Sequence, residues 1–237
     1  MNRKKPRVSF GVLSEIGIVN VTLDYFYINV KDRLSLFTSE ITASDAPLLA
    51  ASGINSNVAN IQYYANDFNS ITQGIDLVTS LPFEFLWGNN MLSLAFNYTN
   101  TELEVTNPKS PISNSNVRKE REGGIPKNRS VLTYAYTKEA LSASIRLNYY
   151  GSFYNAQFND VSLIEKVDPI IITDAEISYN VTDNLVVALG AKNIFDVYPE
   201  ENSKGRTPGF LGAIYPINSP TGYNGGHYYL SMGWDFS

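Results

Sequence analysis

The residues of this chain that could do chemistry are few. A single histidine, His227, lies two and four residues from Tyr229 and Ser231 and eight from Asp235, which invites a serine hydrolase reading. In an extended strand, however, residues four apart are separated by about 13 Å, so Ser231 cannot hydrogen-bond His227 within the strand. With no cysteine and one histidine, the sequence also offers no thiolate or histidine metal cluster. A mixed-charge run, Arg118, Lys119, Glu120, Arg121 and Glu122, reads as solvated loop surface. No glycine-rich phosphate loop is present. The expectation is therefore no enzyme, no cofactor and no metal.

What remains are two sets of side chains suited to handling a solute. Asp24, Asp76, Arg146, Glu176 and Asp235 fall in the middle of alternating segments, on their polar side. Tyr154, Phe158, Tyr198, Phe210, Tyr215 and Tyr223 fall in long loops, where aromatic rings can stack on a sugar or another ring.

The elements that must position them announce themselves by strict alternation. Residues 141–150 place Leu141, Ala143, Ile145, Leu147 and Tyr149 on one side, and Ser142, Ser144, Arg146, Asn148 and Tyr150 on the other. The chain end repeats this, with Tyr228, Leu230, Met232, Trp234 and Phe236 against His227, Tyr229, Ser231, Gly233 and Asp235. Residues 92–99 and 174–181 alternate as cleanly, and 8–13, 19–30, 71–81, 130–136 and 185–195 less so, making nine predicted strands. No convincing amphipathic helix is found.

Connections alternate as well. Short turns are expected at 15–17, 82–90, 137–139 and 182–184, and long loops at 37–60, 105–128, 153–169 and 196–226. Short turns at one end and long loops at the other are the mark of an up-and-down transmembrane β-barrel rather than a Greek-key sandwich. Strand patterns of ten residues suit a tilted crossing of a bilayer, and Phe83, Phe85, Trp87, Tyr149, Phe153, Tyr228, Trp234 and Phe236 recur near strand ends, as interfacial girdles require. No apolar stretch approaches the roughly 18 residues of a membrane-spanning helix. A net charge of −5 without a basic face excludes nucleic acid as partner. The start, MNRKKPR, has the charge of a signal peptide, but 8–13 lacks its apolar segment.

Nine strands in up-and-down order leave the first and last pointing the same way, whereas bacterial single-chain barrels have even strand numbers. The chain is therefore expected to be part of a larger barrel.

Four segments resemble, in order, the C-terminal region of TonB-dependent outer-membrane receptors. VTLDYFYINVKDRL (21–34) and ITQGIDLV (71–78) are similar to that family's D-Y-F-x-I-x-x-x-D-R-I and G-[IV]-E-L segments. ALGAKNIFDVYPE (188–200) resembles its N-[LI]-F-D-x-x-Y segment, and GHYYLSMGWDFS (226–237) its aromatic terminal strand, although here Ser237 follows Phe236. The resemblance implies that residues 1–237 are the last nine or so strands of a 22-stranded barrel, with the plug domain, TonB box and signal peptide outside the sequence. It implies active import of a scarce solute, such as a siderophore, cobalamin or carbohydrate, across the bacterial outer membrane. The partners would be outer-membrane lipid, the small-molecule substrate and, through the plug region, the TonB complex. From the residues alone, a passive porin-like channel and a soluble β-sandwich carbohydrate-binding module remain as alternatives. Within the N-I-F-D segment, Asn193, Ile194, Phe195 and Asp196 read as a strand end turning into a loop rather than as ligand contacts.

Overall fold

A computed structural model describes residues 6–42, 44–53, 60–107, 109–157, 160–204 and 214–236. Its strands are β1 (Arg7–Ile16), β2 (Val19–Glu40), β3 (Asn60–Phe85), β4 (Gly88–Val105), β5 (Asn128–Lys138), β6 (Leu141–Tyr150), β7 (Phe153–Ala156), β8 (Ile164–Val167), β9 (Ile170–Thr182), β10 (Leu185–Lys192) and β11 (His227–Trp234). Among the described residues, two α-helices, α1 (Ala46–Ala51) and α2 (Ser115–Gly123), stand in the loops. Nine strands form one antiparallel sheet in the order β1-β2-β3-β4-β5-β6-β9-β10-β11, and β7 and β8 pair as a separate hairpin. The nine alternating segments are the nine strands of the main sheet.

Register carries the alternation from β1 to β6 along shared ranks. One rank reads Gly11, Asp24, Asp76, Asn97, Arg129, Tyr150. The next rank toward the short turns begins Val12, Leu23, Leu77, Phe96 and points the other way. Among the described residues, no second layer packs on the apolar face. Ile145 is 49% exposed, Leu189 58%, Leu230 68% and Met232 69%. A soluble sandwich buries such a face, so that alternative fails; a bilayer covers it instead. On β2 the apolar positions run from Val19 to Tyr27. Nine residues at about 3.3 Å each, tilted by about 40°, cover roughly 23 Å, close to the outer-membrane hydrocarbon band.

The family-like segments of β2 and β3 meet across the strand pair. Phe26 lies opposite Gly74. A Cβ at Gly74 would overlap both the Phe26 ring and the Tyr98 carbonyl, so only glycine lets this aromatic lie across the sheet.

Several boundaries differ from the expectations. Strands β2 and β3 run for 22 and 26 residues, far past the predicted ends at Val30 and Ile71. Register shifts at Arg33, with Asp67 as the extra residue on β3, reset the period of two and hide the continuation. The turn expected over 82–90 is only Leu86–Trp87, because β3 extends to Phe85 and β4 begins at Gly88. Strand β10 ends at Lys192 rather than Phe195. Asp235, expected mid-strand, lies just past β11, where its N–H donates to the Asn184 carbonyl at 2.9 Å.

Connections β1–β2, β3–β4, β5–β6 and β9–β10 are two-residue turns, and all leave the sheet at one end. Cysteines substituted for Asp183, in a short turn, and for Leu48, on α1, are expected to lie on opposite sides of the outer membrane in the full-length protein. On intact cells an impermeant maleimide should label only the Leu48→Cys variant. Labelling of both positions would break the up-and-down topology.

Candidate functional site

At the long-loop end, loop structure folds over the polar face. The run Arg118 to Glu122, expected as solvated loop, lies in α2. Asn114 caps this helix by accepting from the Asn116 N–H, and the Gly124 N–H closes it on the Glu120 carbonyl. The helix is not free in solvent. Val117 packs against a cluster of Phe68, Leu103 and Ile112, and Glu122 accepts from the Leu103 N–H at 2.8 Å. Phe68 and Leu103 share the face of Asp76 and Asn97, so α2 rests on the polar side of β3 and β4. The helix escaped the sequence reading because it is docked by scattered contacts, Val117 and Glu122 on the sheet side among them, and no apolar stripe announces it.

Between α2 and the inner side of β4 lies a cavity of about 740 Å³. Asn97, Thr99 and Thr101 form its wall, Glu120 and Arg121 its roof, and Asn218 reaches in from the loop before β11. Its size suits a small organic solute. The wall is preorganised. Asn97 Nδ2 donates to Asp76 Oδ1 at 2.6 Å, Thr99 Oγ1 donates to Asn97 Oδ1 at 3.3 Å, and the Thr72 and Thr101 hydroxyls bond at 3.0 Å.

A second cavity of about 430 Å³ lies beside the β7–β8 hairpin, lined among others by Tyr154, Lys166, Glu200 and Lys204. Here Glu165 Oε2 accepts from the Ser203 N–H at 2.9 Å, the Ser203 hydroxyl at 2.6 Å and the Lys204 N–H at 3.2 Å. Asn116 Nδ2 donates to the Val161 carbonyl at 3.1 Å and ties α2 to the same region.

The loop aromatics divide. Tyr198, Tyr215 and Tyr223 stack in a ladder, with ring centroids 5.6 and 6.1 Å apart and planes within 14° and 9°. The Tyr223 hydroxyl donates to the Pro216 and Ile217 carbonyls at 3.0 and 2.8 Å. The Tyr198 hydroxyl bonds the Asp196 carboxylate, which pushes its ionisation above the ordinary tyrosine value, the negative charge of Asp196 adding to the effect. Tyr154 stands apart on β7, beside Gly123 of α2. Phe158 and Phe210 lie outside the described residues.

The charged set also divides. Asp24 and Asp76 are direct cross-strand partners, a like-charged pair that concentrates negative potential on one rank. Arg146 stands opposite Thr133 and Asp174. Asp174, which sequence reasoning did not single out, accepts from Asn148 Nδ2 and from the Asn193 N–H, both at 3.0 Å. Glu176 is opposite Ser144 and Gly190 and accepts from the Tyr229 hydroxyl at 2.5 Å. Tyr229 reaches it by crossing Gly190, where a Cβ would overlap the tyrosine ring. Gly190→Ala is expected to displace Tyr229 and cost about 1 to 3 kcal/mol, as overpacking does. A denaturant titration of the folded barrel reads this, and an unchanged midpoint would show that the ring has room to move.

His227 pairs with Lys192 across the strands and stacks on Tyr229 at 6.3 Å. The N-I-F-D segment is a latch. Asn193 Nδ2 donates to the Val197 carbonyl at 2.8 Å while its Oδ1 accepts from the Val197 N–H at 2.9 Å, and Asp196 accepts from the Gly226 N–H at 2.7 Å. Both ends of the 196–226 loop are thereby pinned to one corner of the sheet.

Comparison with known proteins agrees with this architecture. The family described as TonB dependent receptor-like, beta-barrel matches residues 10–194. No curated protein matches the chain. Among solved structures, the outer membrane transporter YddB from Escherichia coli is similar at a TM-score of 0.63 and 15% identity, over 98% of this chain and 32% of that one. The FrpB iron transporter from Neisseria meningitidis is similar at a TM-score of 0.63 and 14% identity, over 97% of this chain and 31% of that one. The ferric yersiniabactin uptake receptor FyuA from Yersinia pestis gives 0.59 and 12% identity, over 99% and 30%. The chain thus spans about a third of the length of these structures. It belongs to the TonB-dependent receptor family, and its nine-stranded sheet is part of that family's β-barrel in the bacterial outer membrane.

Proposed function

We propose that the chain forms part of the wall of a TonB-dependent importer, which captures a scarce solute at the cell surface and passes it inward along the polar face of the sheet. The observation that carries this reading is α2, folded over the polar face so that a cavity of about 740 Å³ opens between helix and wall, while the opposite face is mostly apolar and exposed in the membrane band. In this reading the polar face lines the lumen, and Asp24, Asp76, Arg146, Glu176 and Asp235 are part of that lining. Tyr198, Tyr215 and Tyr223 offer a ring stack at the mouth, with Tyr154 a separate ring beside the smaller cavity. A structural role competes for the ladder, since the Tyr223 hydroxyl is engaged by loop carbonyls and the Tyr198 hydroxyl by Asp196. The TonB complex would supply the energy through regions of the longer protein.

The test is uptake by cells carrying the full-length protein. The probes are a ferric siderophore, chosen because FrpB and FyuA are named for iron and a ferric siderophore, together with cobalamin and a labelled oligosaccharide. Import should saturate at low concentration and stop when a protonophore collapses the inner-membrane gradient or when TonB is deleted. Uptake that persists without TonB and rises linearly with concentration would favour a passive channel.

A further inference from the structure

The side chains around the cavity between α2 and β4 have bonding capacity left over, and that remainder has a chemical character. Glu120 and Arg121 on the roof, and Asn218 from the loop before β11, make no side-chain hydrogen bond or ion pair with any described residue. Along the wall, Asn97 uses one amide N–H on Asp76, Thr99 donates to Asn97 Oδ1, and Thr101 shares its hydroxyl with Thr72. The second amide N–H of Asn97 and hydroxyl lone pairs stay open. Glu122 accepts from the Leu103 N–H with one oxygen and keeps the other. Charge around the cavity is mainly negative. Glu120 and Glu122 line it with Arg121, and beside Asn97 in its rank stand Asp76 and Asp24. Two cations of the following segment are engaged elsewhere: Arg129 lies 4.9 Å from the centre of the Tyr150 ring, and Lys127 bonds Asn100 on the other face of β4. Ile125, 80% exposed, and Pro126 add an apolar strip to this polar lining.

We propose that this cavity recognises an uncharged polyhydroxylated solute, a saccharide of a few rings, and rejects anionic metal chelates; the proposal rests on the importer reading above and names the substrate class of the same site. A sugar ring presents pairs of adjacent hydroxyls, each both donor and acceptor. A carboxylate such as Glu120 accepts from both members of a pair, a guanidinium such as Arg121 donates to both, and the amides of Asn97 and Asn218 do one of each. The C–H face of the ring is apolar and matches Ile125 and Pro126. Being uncharged, the sugar avoids the repulsion that an anion meets from Glu120, Glu122, Asp76 and Asp24, which a single guanidinium does not offset. A ligand without hydroxyls leaves these groups unpaired once water is excluded, so the lining selects as well as binds. The volume suits a solute of this size.

The experiment measures binding to the purified full-length protein in detergent by calorimetry. The neutral probes are tetrasaccharides of glucose, mannose, xylose and galactose, and the anionic probes are ferric citrate and a ferric tris-catecholate. At least one neutral probe should bind, with an affinity that changes less than about twofold between about 0.05 and about 0.5 M salt, since no ligand charge is there to be screened. Glu120→Gln should weaken that binding about tenfold and Asn218→Ala about fivefold, through lost hydrogen bonds to the ligand. Arg118→Ala, on the same helix but lining neither cavity, should leave it unchanged. Heat-modifiable gel mobility checks that each variant is folded. Saturable binding of a ferric chelate that the same two variants weaken would overturn the proposal, as would binding of none of the neutral probes or neutral binding that neither variant alters. The importer reading fails separately. A neutral probe that binds here but enters cells equally well without TonB keeps the substrate class and removes that reading, whereas TonB-dependent uptake of a ferric chelate alone keeps that reading and removes the class.

Discussion

Ile145→Arg is expected to remove about 2 to 4 kcal/mol of barrel stability, the cost of an arginine on the lipid face near the bilayer midplane. Ile145 sits at the middle of β6, between Tyr134 on β5 and Ala175 on β9, on the face that carries Leu189 and Leu230 elsewhere in the sheet. A guanidinium there has no protein partner and must draw water or headgroups into hydrocarbon. The adjacent Ser144 supplies the control. It stands opposite Ala135 and Glu176 on the polar face, so Ser144→Arg adds a cation beside a carboxylate and should be close to neutral. Urea titrations of the full-length protein refolded in lipid vesicles measure both. Equal losses would mean that the two faces have been exchanged.

Asn193→Ala is the second large effect, and it acts on the loop end rather than on the membrane band. Asn193 is 8% exposed and has a φ of 50°, a left-handed conformation that asparagine tolerates better than alanine. The substitution removes both reciprocal bonds to Val197 at about 1 kcal/mol each and adds about 1 kcal/mol of backbone strain. A local loss of about 3 kcal/mol corresponds to roughly a hundredfold faster amide exchange over 194–200. Asn193→Gly keeps the conformation but not the bonds, and should fall between wild type and alanine. If exchange in this segment is unchanged in both variants, the latch is not what holds the loop.

The contrast between these two sites explains what could be read without coordinates. Strand positions and faces were legible because a membrane band forces every second side chain to be apolar, as Leu141 to Tyr149 illustrate. The upper halves of β2 and β3 were not, because the shifts at Arg33 and Asp67 break the parity on which such a reading depends. Helix α2 was missed because it docks through isolated side chains, Val117, Glu122 and Asn116, a pattern indistinguishable from loop surface. The β7–β8 hairpin was missed because four-residue strands carry too few alternations to register. For the site, alternation put Asp24 and Asp76 on one face, but their direct opposition depends on register between strands separated by a long connection. The aromatics were grouped by loop membership, yet the ladder takes only Tyr198, Tyr215 and Tyr223 and leaves Tyr154 with α2.

The offset at Arg33 and Asp67 divides the β2–β3 ribbon into two stretches that tolerate length change differently. Below it, one added residue in either strand would turn every lipid-facing side chain toward the interior. Above it, among the described residues, the two strands pair only with each other, and residues gained or lost in matched numbers on both would raise or lower the tip while leaving everything beneath unshifted. Height above the cell surface is therefore a quantity that insertions and deletions can adjust in this receptor independently of its membrane fit. Selection on what meets the tip can act there without passing through the constraint that fixes the band.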